Sequence, residues 1–97
     1  MDLYLILRRD GWRTPDELQA AAERSTLEGE RAGTVRWIRS YVLDEHDGGL
    51  GSVCVYEADS TGAIRRHAAA AQLPVTEIVK VADTVIVRPD PKPTGES

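Results

Sequence analysis

The chain is poor in the features that announce a chemistry. It has one cysteine, Cys54, so no disulfide can close within it, which fits a reducing compartment. It has no excess of positive charge: the net charge is −4 and the pI about 5.1. The arginines are dispersed as Arg8, Arg9 and Arg13, then Arg36 and Arg39, then Arg65 and Arg66, so no nucleic-acid partner is expected. No apolar run approaches the roughly 20 residues of a membrane span, and no membrane partner is expected. Met1-Asp2-Leu3-Tyr4 lacks the basic start and small-residue cleavage site of a signal peptide, so the expected location is cytoplasmic. A phosphate loop, Cys-x-x-Cys and Gly-x-Ser-x-Gly are all missing, which removes common routes to nucleotide, thiol-redox and acyl-transfer chemistry.

What remains is globular: 97 residues, 41% hydrophobic and 29% charged, in the range of a single folded domain. A domain of this size buries only about 60–70% of its unfolded surface, so association would help it. The strongest pattern is Thr34 to Ala58, where Thr-Val-Arg-Trp-Ile-Arg-Ser-Tyr-Val and Ser-Val-Cys-Val-Tyr-Glu-Ala flank a polar, glycine-rich link over 44–51. Two β-branched and aromatic runs joined by such a link predict a hairpin.

Before it, Leu3 to Arg8 is apolar on both parities and predicts a central strand covered on both sides, broken by Asp10-Gly11-Trp12. Thr14-Pro15-Asp16-Glu17 has the N-cap, first-turn proline and capping-box acid of a helix start. The helix runs to Ala32-Gly33-Thr34, with Leu18, Ala21, Ala22, Ser25 and Ala32 as its inner stripe; Leu27 falls off that stripe. After the hairpin, Asp59-Ser60-Thr61 offers caps for a second helix to about Gln72, facing inward with Ile64, His67, Ala68 and Ala71. Pro74 ends it. Thr76 to Arg88 is β-branched and predicts a long last strand, with a bend at Asp83-Thr84. The domain therefore spans 1–88, and 89–97 is a proline-rich tail too polar to pack.

The order β-α-β-β-α-β predicts an α+β, ferredoxin-like fold: a four-stranded antiparallel sheet with both helices on one face. Strands apolar on both parities need cover on the other face too, and a second copy of the chain is the simplest cover. A homodimer through the helix-free sheet face is the expectation.

Trp-Ile-Arg-Ser-Tyr-Val (37–42), Cys-Val-Tyr-Glu-Ala (54–58), Ala-Ile-Arg-Arg-His-Ala (63–68) and Leu-Pro (73–74) follow one another in an order and spacing that resembles the small bacterial nickel-binding protein family. The likeness covers roughly residues 3–88. It implies a ferredoxin-like dimeric α+β barrel, and nickel or another divalent transition metal as cofactor. Members often carry a glutamate in the first strand, in a Val-Glu-Arg or Ile-Glu-Arg context. Here Leu7 stands at that position, before Arg8, so a ligand at that position would be lost.

Within this frame His67 is the leading metal ligand, an imidazole on an inward stripe and inside the matched segment; the alternative is a hydrogen-bonded core histidine. Glu57, at the end of the third strand, would complete or orient the ligand set, or serve the N-terminus of the second helix. Tyr41 is the third candidate ligand. By strand alternation Trp37, Arg39 and Tyr41 share one face, as pocket or interface residues, and Tyr56 has the same two readings. Cys54 is expected to be a buried structural residue, and Asp44 to Asp47 a solvated turn. A second function is consistent with the fold: a cofactor-independent monooxygenase- or cyclase-like enzyme, with His67 as base and Arg39 or Tyr41 holding an oxyanion. A third is a dimeric interaction module with no small ligand.

Overall fold

The computed structural model describes residues 1–92. The elements are β1 (Asp2–Trp12), α1 (Pro15–Ala32), β2 (Val35–Asp44), a short 3-10 turn (His46–Gly48), β3 (Leu50–Ala58), α2 (Thr61–Ala71) and β4 (Glu77–Lys80). The sheet order is β2-β3-β1-β4, and all three pairings are antiparallel. This is the ferredoxin-like α+β arrangement expected from the element order.

Local chemistry sets the helix ends. The Thr14 hydroxyl accepts from the Glu17 amide at 3.2 Å, and the Glu17 carboxylate accepts from the Arg13 amide at 2.9 Å. Gly33 closes α1 in the left-handed region, φ 70°, where glycine carries no Cβ penalty. Ser60 caps α2 by accepting from the Ala63 amide at 3.1 Å. Arg24 then ties the helices together, its Nε donating to the Ala71 carbonyl at 2.8 Å.

One parity of the central strands, Tyr4 and Ile6 of β1 with Cys54, Tyr56 and Ala58 of β3, is buried with Val35 of β2 and Ala63 and Ile64 of α2. This is the helix-covered face. Ala21 and Ser25 of the inner stripe of α1 are buried, Leu18 and Ala22 are half-buried, and Ala32 is exposed at the last turn. Leu27 is exposed too, which accounts for its place off the stripe. The opposite parity, including Leu3, Leu5, Leu7, Val53 and Val55, is half-buried.

Three expectations are corrected. First, β1 does not stop at Arg8: it bends at Asp10, φ 50°, and resumes its pairing with β3 at Trp12↔Leu50. Glu45 supports the bend, accepting from Arg9 Nε at 2.8 Å, Arg9 Nη2 at 2.9 Å and the Asp10 amide at 3.1 Å. Second, β4 covers only Glu77–Lys80. From Val81 the chain turns across the helix-free face, where Leu3, Leu5 and Val55 lie beside the arm formed by residues 81–90. Third, the tail is not free from Pro89 onward, because Asp90 accepts from Arg39 Nη1 and from the Tyr41 hydroxyl, both at 2.7 Å. Residues 93–97 of that tail lie outside the described residues.

Candidate functional site

The side chains with chemistry gather between α1 and the covered face of the sheet. Tyr56, on β3, points at α1, and its hydroxyl meets the Ser25 hydroxyl at 2.7 Å. The Ser25 hydroxyl in turn meets His67 Nε2, from α2, at 3.1 Å. Tyr56, Ser25 and His67 thus form one buried polar chain linking a strand to both helices. The tyrosine and imidazole rings tilt against each other, with centroids 5.7 Å apart. The second ring nitrogen, Nδ1 of His67, is buried without a partner among the described residues.

Electrostatics keeps this chain uncharged. Burial lowers the His67 pKa, the nearby Arg8 cation lowers it further, and Glu28 opposes them. Burial raises the Tyr56 pKa, offset in part by its bond to Ser25. A neutral imidazole, a hydroxyl and a neutral phenol in sequence can hand a proton along without carrying net charge.

Arg8 is the unexpected member. It follows Tyr4 and Ile6 on the covered parity of β1 and is 1% exposed. Its Nη1 donates to the Pro74 carbonyl at 2.7 Å, while its Nη2 has no partner among the described residues. In the sequence Arg8 stands among dispersed arginines. Its parity with two core residues was the available signal, since a charge in a buried register demands a partner.

Two cavities share Ser25, Trp37 and Tyr56. One, about 450 Å³, is lined by Arg8, Trp12, Ala22, Ser52 and Cys54 among others. The other, about 410 Å³, is lined by His67, Gly29 and Val35. Trp37 stacks on Tyr56, with rings 6.2 Å apart and 9° from parallel.

The expected ligands do not meet. Trp37 is paired with Tyr56 but Arg39 with Val55, so Ile38 is an extra residue in β2. That bulge changes the parity. Trp37 therefore shares the covered face with Tyr56, whereas Arg39 and Tyr41 turn to the helix-free face. The shared face expected for Trp37, Arg39 and Tyr41 is corrected accordingly. Glu57 also lies on the helix-free face, pairing with Arg36 Nη1 at 3.0 Å. His67 is thus separated by the sheet from both Glu57 and Tyr41. Among the described residues no group of three or more His, Cys, Asp or Glu side chains is gathered for a metal ion. Cys54 is buried and free, as expected. No helix is long and apolar enough to cross a membrane.

Comparison with known proteins agrees with the fold. A family model described as nickel responsive protein SCO4226-like matches residues 4–81. The crystal structure of SCO4226 from Streptomyces coelicolor A3(2) superposes with a TM-score of 0.66 at 21% identity, covering 86% of this chain and 99% of that one. No curated protein matches the chain.

Proposed function

The chain belongs to the SCO4226-like family of nickel responsive proteins, and from that premise we propose that it is a small, non-enzymatic, homodimeric binding protein of the cytoplasm. The observation that carries the dimer is at the arm: Val85, Ile86 and Val87 are 85%, 76% and 84% exposed. They belong to the arm of residues 81–90, laid over a space of about 800 Å³ against Leu3, Leu5 and Val55. Three successive β-branched side chains held in water beside an apolar sheet face are what a second copy of this chain would cover. The buried free thiol of Cys54 is in keeping with a reducing compartment.

Nickel is the metal that the family description suggests, and the donors of one chain do not suit it. His67 lies in the helix layer near the Arg8 cation, while Glu57 and Tyr41 face the other way and are engaged by Arg36 and Asp90. Octahedral nickel requires several N and O donors converging on one point, and these three do not converge within the chain. In this reading His67 is not a nickel ligand, and any response to nickel involves groups that only the dimer brings together on the helix-free face.

Light scattering at micromolar concentration tests the dimer: a mass about twice 10.6 kDa is expected, falling toward the single-chain mass in Ile86→Asp. A wild-type monomer would refute it. Calorimetric titration with nickel tests the rest. His67→Ala should bind nickel as wild type does, and a tenfold loss would restore His67 as a ligand.

A further inference from the structure

We propose that the cavity between α1 and the β2–β3 half of the sheet is a binding site for a small aromatic monocarboxylate, whose carboxylate pairs with Arg8. This goes beyond the dimer and nickel reading and does not depend on it.

The argument starts from a guanidinium in the wrong place for a lone charge. Arg8 is 1% exposed; among the described residues its hydrogen-bond acceptor is the neutral Pro74 carbonyl at 2.7 Å, and the Tyr56 phenol is near enough to feel the cation. No ion pair involves it among the described residues. Burying a cation without a counter-charge costs several kcal/mol, by an order-of-magnitude rule. The free Nη2 belongs to a residue that lines the 450 Å³ cavity. Nη2 itself is sealed from the cavity as the side chain stands, so an anion brought into the cavity would supply the missing charge at once and the missing acceptor when the guanidinium turns toward it.

The rest of the lining states which anion. Ser52 is the cross-strand neighbour of Arg8 on the same face, is itself buried and lines the cavity, so the wall offers one hydroxyl, which meets Cys54 Sγ at 3.4 Å. Among the described residues the other arginine of the lining is Arg39, and its guanidinium is engaged by Asp90 on the helix-free face. One positive charge matches a monoanion better than a phosphate dianion. The walls are apolar and aromatic. Trp12 and Trp37 stand on the strand side, and the short side chains of Ala21 and Ala22 leave room on the helix side. The volume lies in the range of about 300–1,000 Å³ typical of small-molecule sites. Half-buried Ala22 and exposed Ile38 are part of the lining, so the cavity opens beside the edge strand β2, clear of the helix-free face.

The chain's two tryptophans both line this cavity, so intrinsic fluorescence reports its occupancy. The test titrates the full chain with 3-phenylpropionate and indole-3-propionate by calorimetry. Fluorescence follows the first, and neutral 3-phenylpropanamide is the matched control. At least one acid should bind, with 3-phenylpropanamide at least tenfold weaker than 3-phenylpropionate. Arg8→Gln should weaken the acid by roughly 10–100-fold, the range for loss of a charge-assisted hydrogen bond, with little effect on the amide. Ala22→Phe keeps Arg8 and fills the cavity; it should abolish binding in a protein that still melts cooperatively. If Arg8→Gln does not fold, the acid–amide comparison on wild type and the Ala22→Phe variant still decide. Equal binding of acid and amide, an Arg8→Gln variant that binds the acid as wild type does, or no binding of either acid at millimolar concentration would overturn the proposal. None of these outcomes bears on the chain's mass or on its nickel titration.

Discussion

Trp37 lies flat against Tyr56, with ring centroids 6.2 Å apart and planes within 9°, because Ile38 is the extra residue of a bulge in β2. Were Ile38 a regular strand residue and not a bulge, strict alternation from Arg39 would set Trp37 on the helix-free side. One inserted residue thus decides which side of the sheet receives the indole and which receives the arginine.

Trp37→Ala removes the stacking partner of Tyr56 and one wall of each cavity. Trp37 is 39% exposed, so the transfer loss is partial, and a destabilisation of about 1–2 kcal/mol is expected. Urea unfolding followed by circular dichroism measures it. A change below about 0.3 kcal/mol would mean that the stack contributes nothing net.

Ser25 sits between two buried groups, at 2.7 Å from the Tyr56 hydroxyl and 3.1 Å from His67 Nε2. Ser25→Ala leaves both without this partner and should cost about 2–4 kcal/mol, whereas Tyr56→Phe removes one hydroxyl and should cost about 1–2 kcal/mol. The double variant should therefore be less unstable than the sum of the singles. Strict additivity would show that the two hydroxyls act independently.

Stability should fall on mild acidification. Burial and Arg8 hold the His67 pKa below its ordinary 6.5. As pH drops through 6.5 the unfolded chain takes up a proton that the folded chain refuses, so protonation favours unfolding. The loss begins near pH 7 and continues down to the depressed folded value. His67→Gln should flatten the stability curve over this window while lowering its plateau. Glu45 acts in a separate window: Arg9 and the Asp10 amide pull its pKa from 4.5 to about 2. Its contribution is complete above about 4.5 and is lost as pH falls toward 2. Melting temperatures across pH 2–8 would resolve the two, and a His67→Gln curve parallel to wild type through pH 6.5 would refute the first.

Gly51 is needed for close approach. A Cβ there would meet the Arg8 carbonyl oxygen at 2.7 Å and collide with Glu45 Oε1. One obstacle is backbone, and the other is a carboxylate held by the Arg9 side chain and the Asp10 amide. Gly51→Ala should destabilise by about 1–3 kcal/mol, as overpacking does, and should free the bend at Asp10. Thermal melts measure the first effect, and amide exchange at Asp10 the second.

Element order and fold were legible because they rest on local signals. The Thr14 and Ser60 caps, the stop at Gly33, the alternation in β1 and β3, and the helical stripe bearing Ser25 and His67 are short-range patterns that sterics and burial impose on neighbours in sequence. The short last strand was not legible. Val85, Ile86 and Val87 have every propensity for β structure, yet β4 stops at Lys80 and they remain exposed.

What the sequence determined by itself was the helix–strand order, the α+β class and the inward placing of His67, since each depends on residues within a few positions of one another. The tertiary structure alone decided the contents of the site. The bulge at Ile38 reversed Trp37 against Arg39 and Tyr41, because side-chain direction depends on the cumulative count of residues along a paired strand. The crossing of β3 by two helices joined Tyr56, Ser25 and His67 from three separate elements. The absence of a counter-charge for Arg8 among the described residues is a property of everything packed around it, and no single stretch of sequence records it.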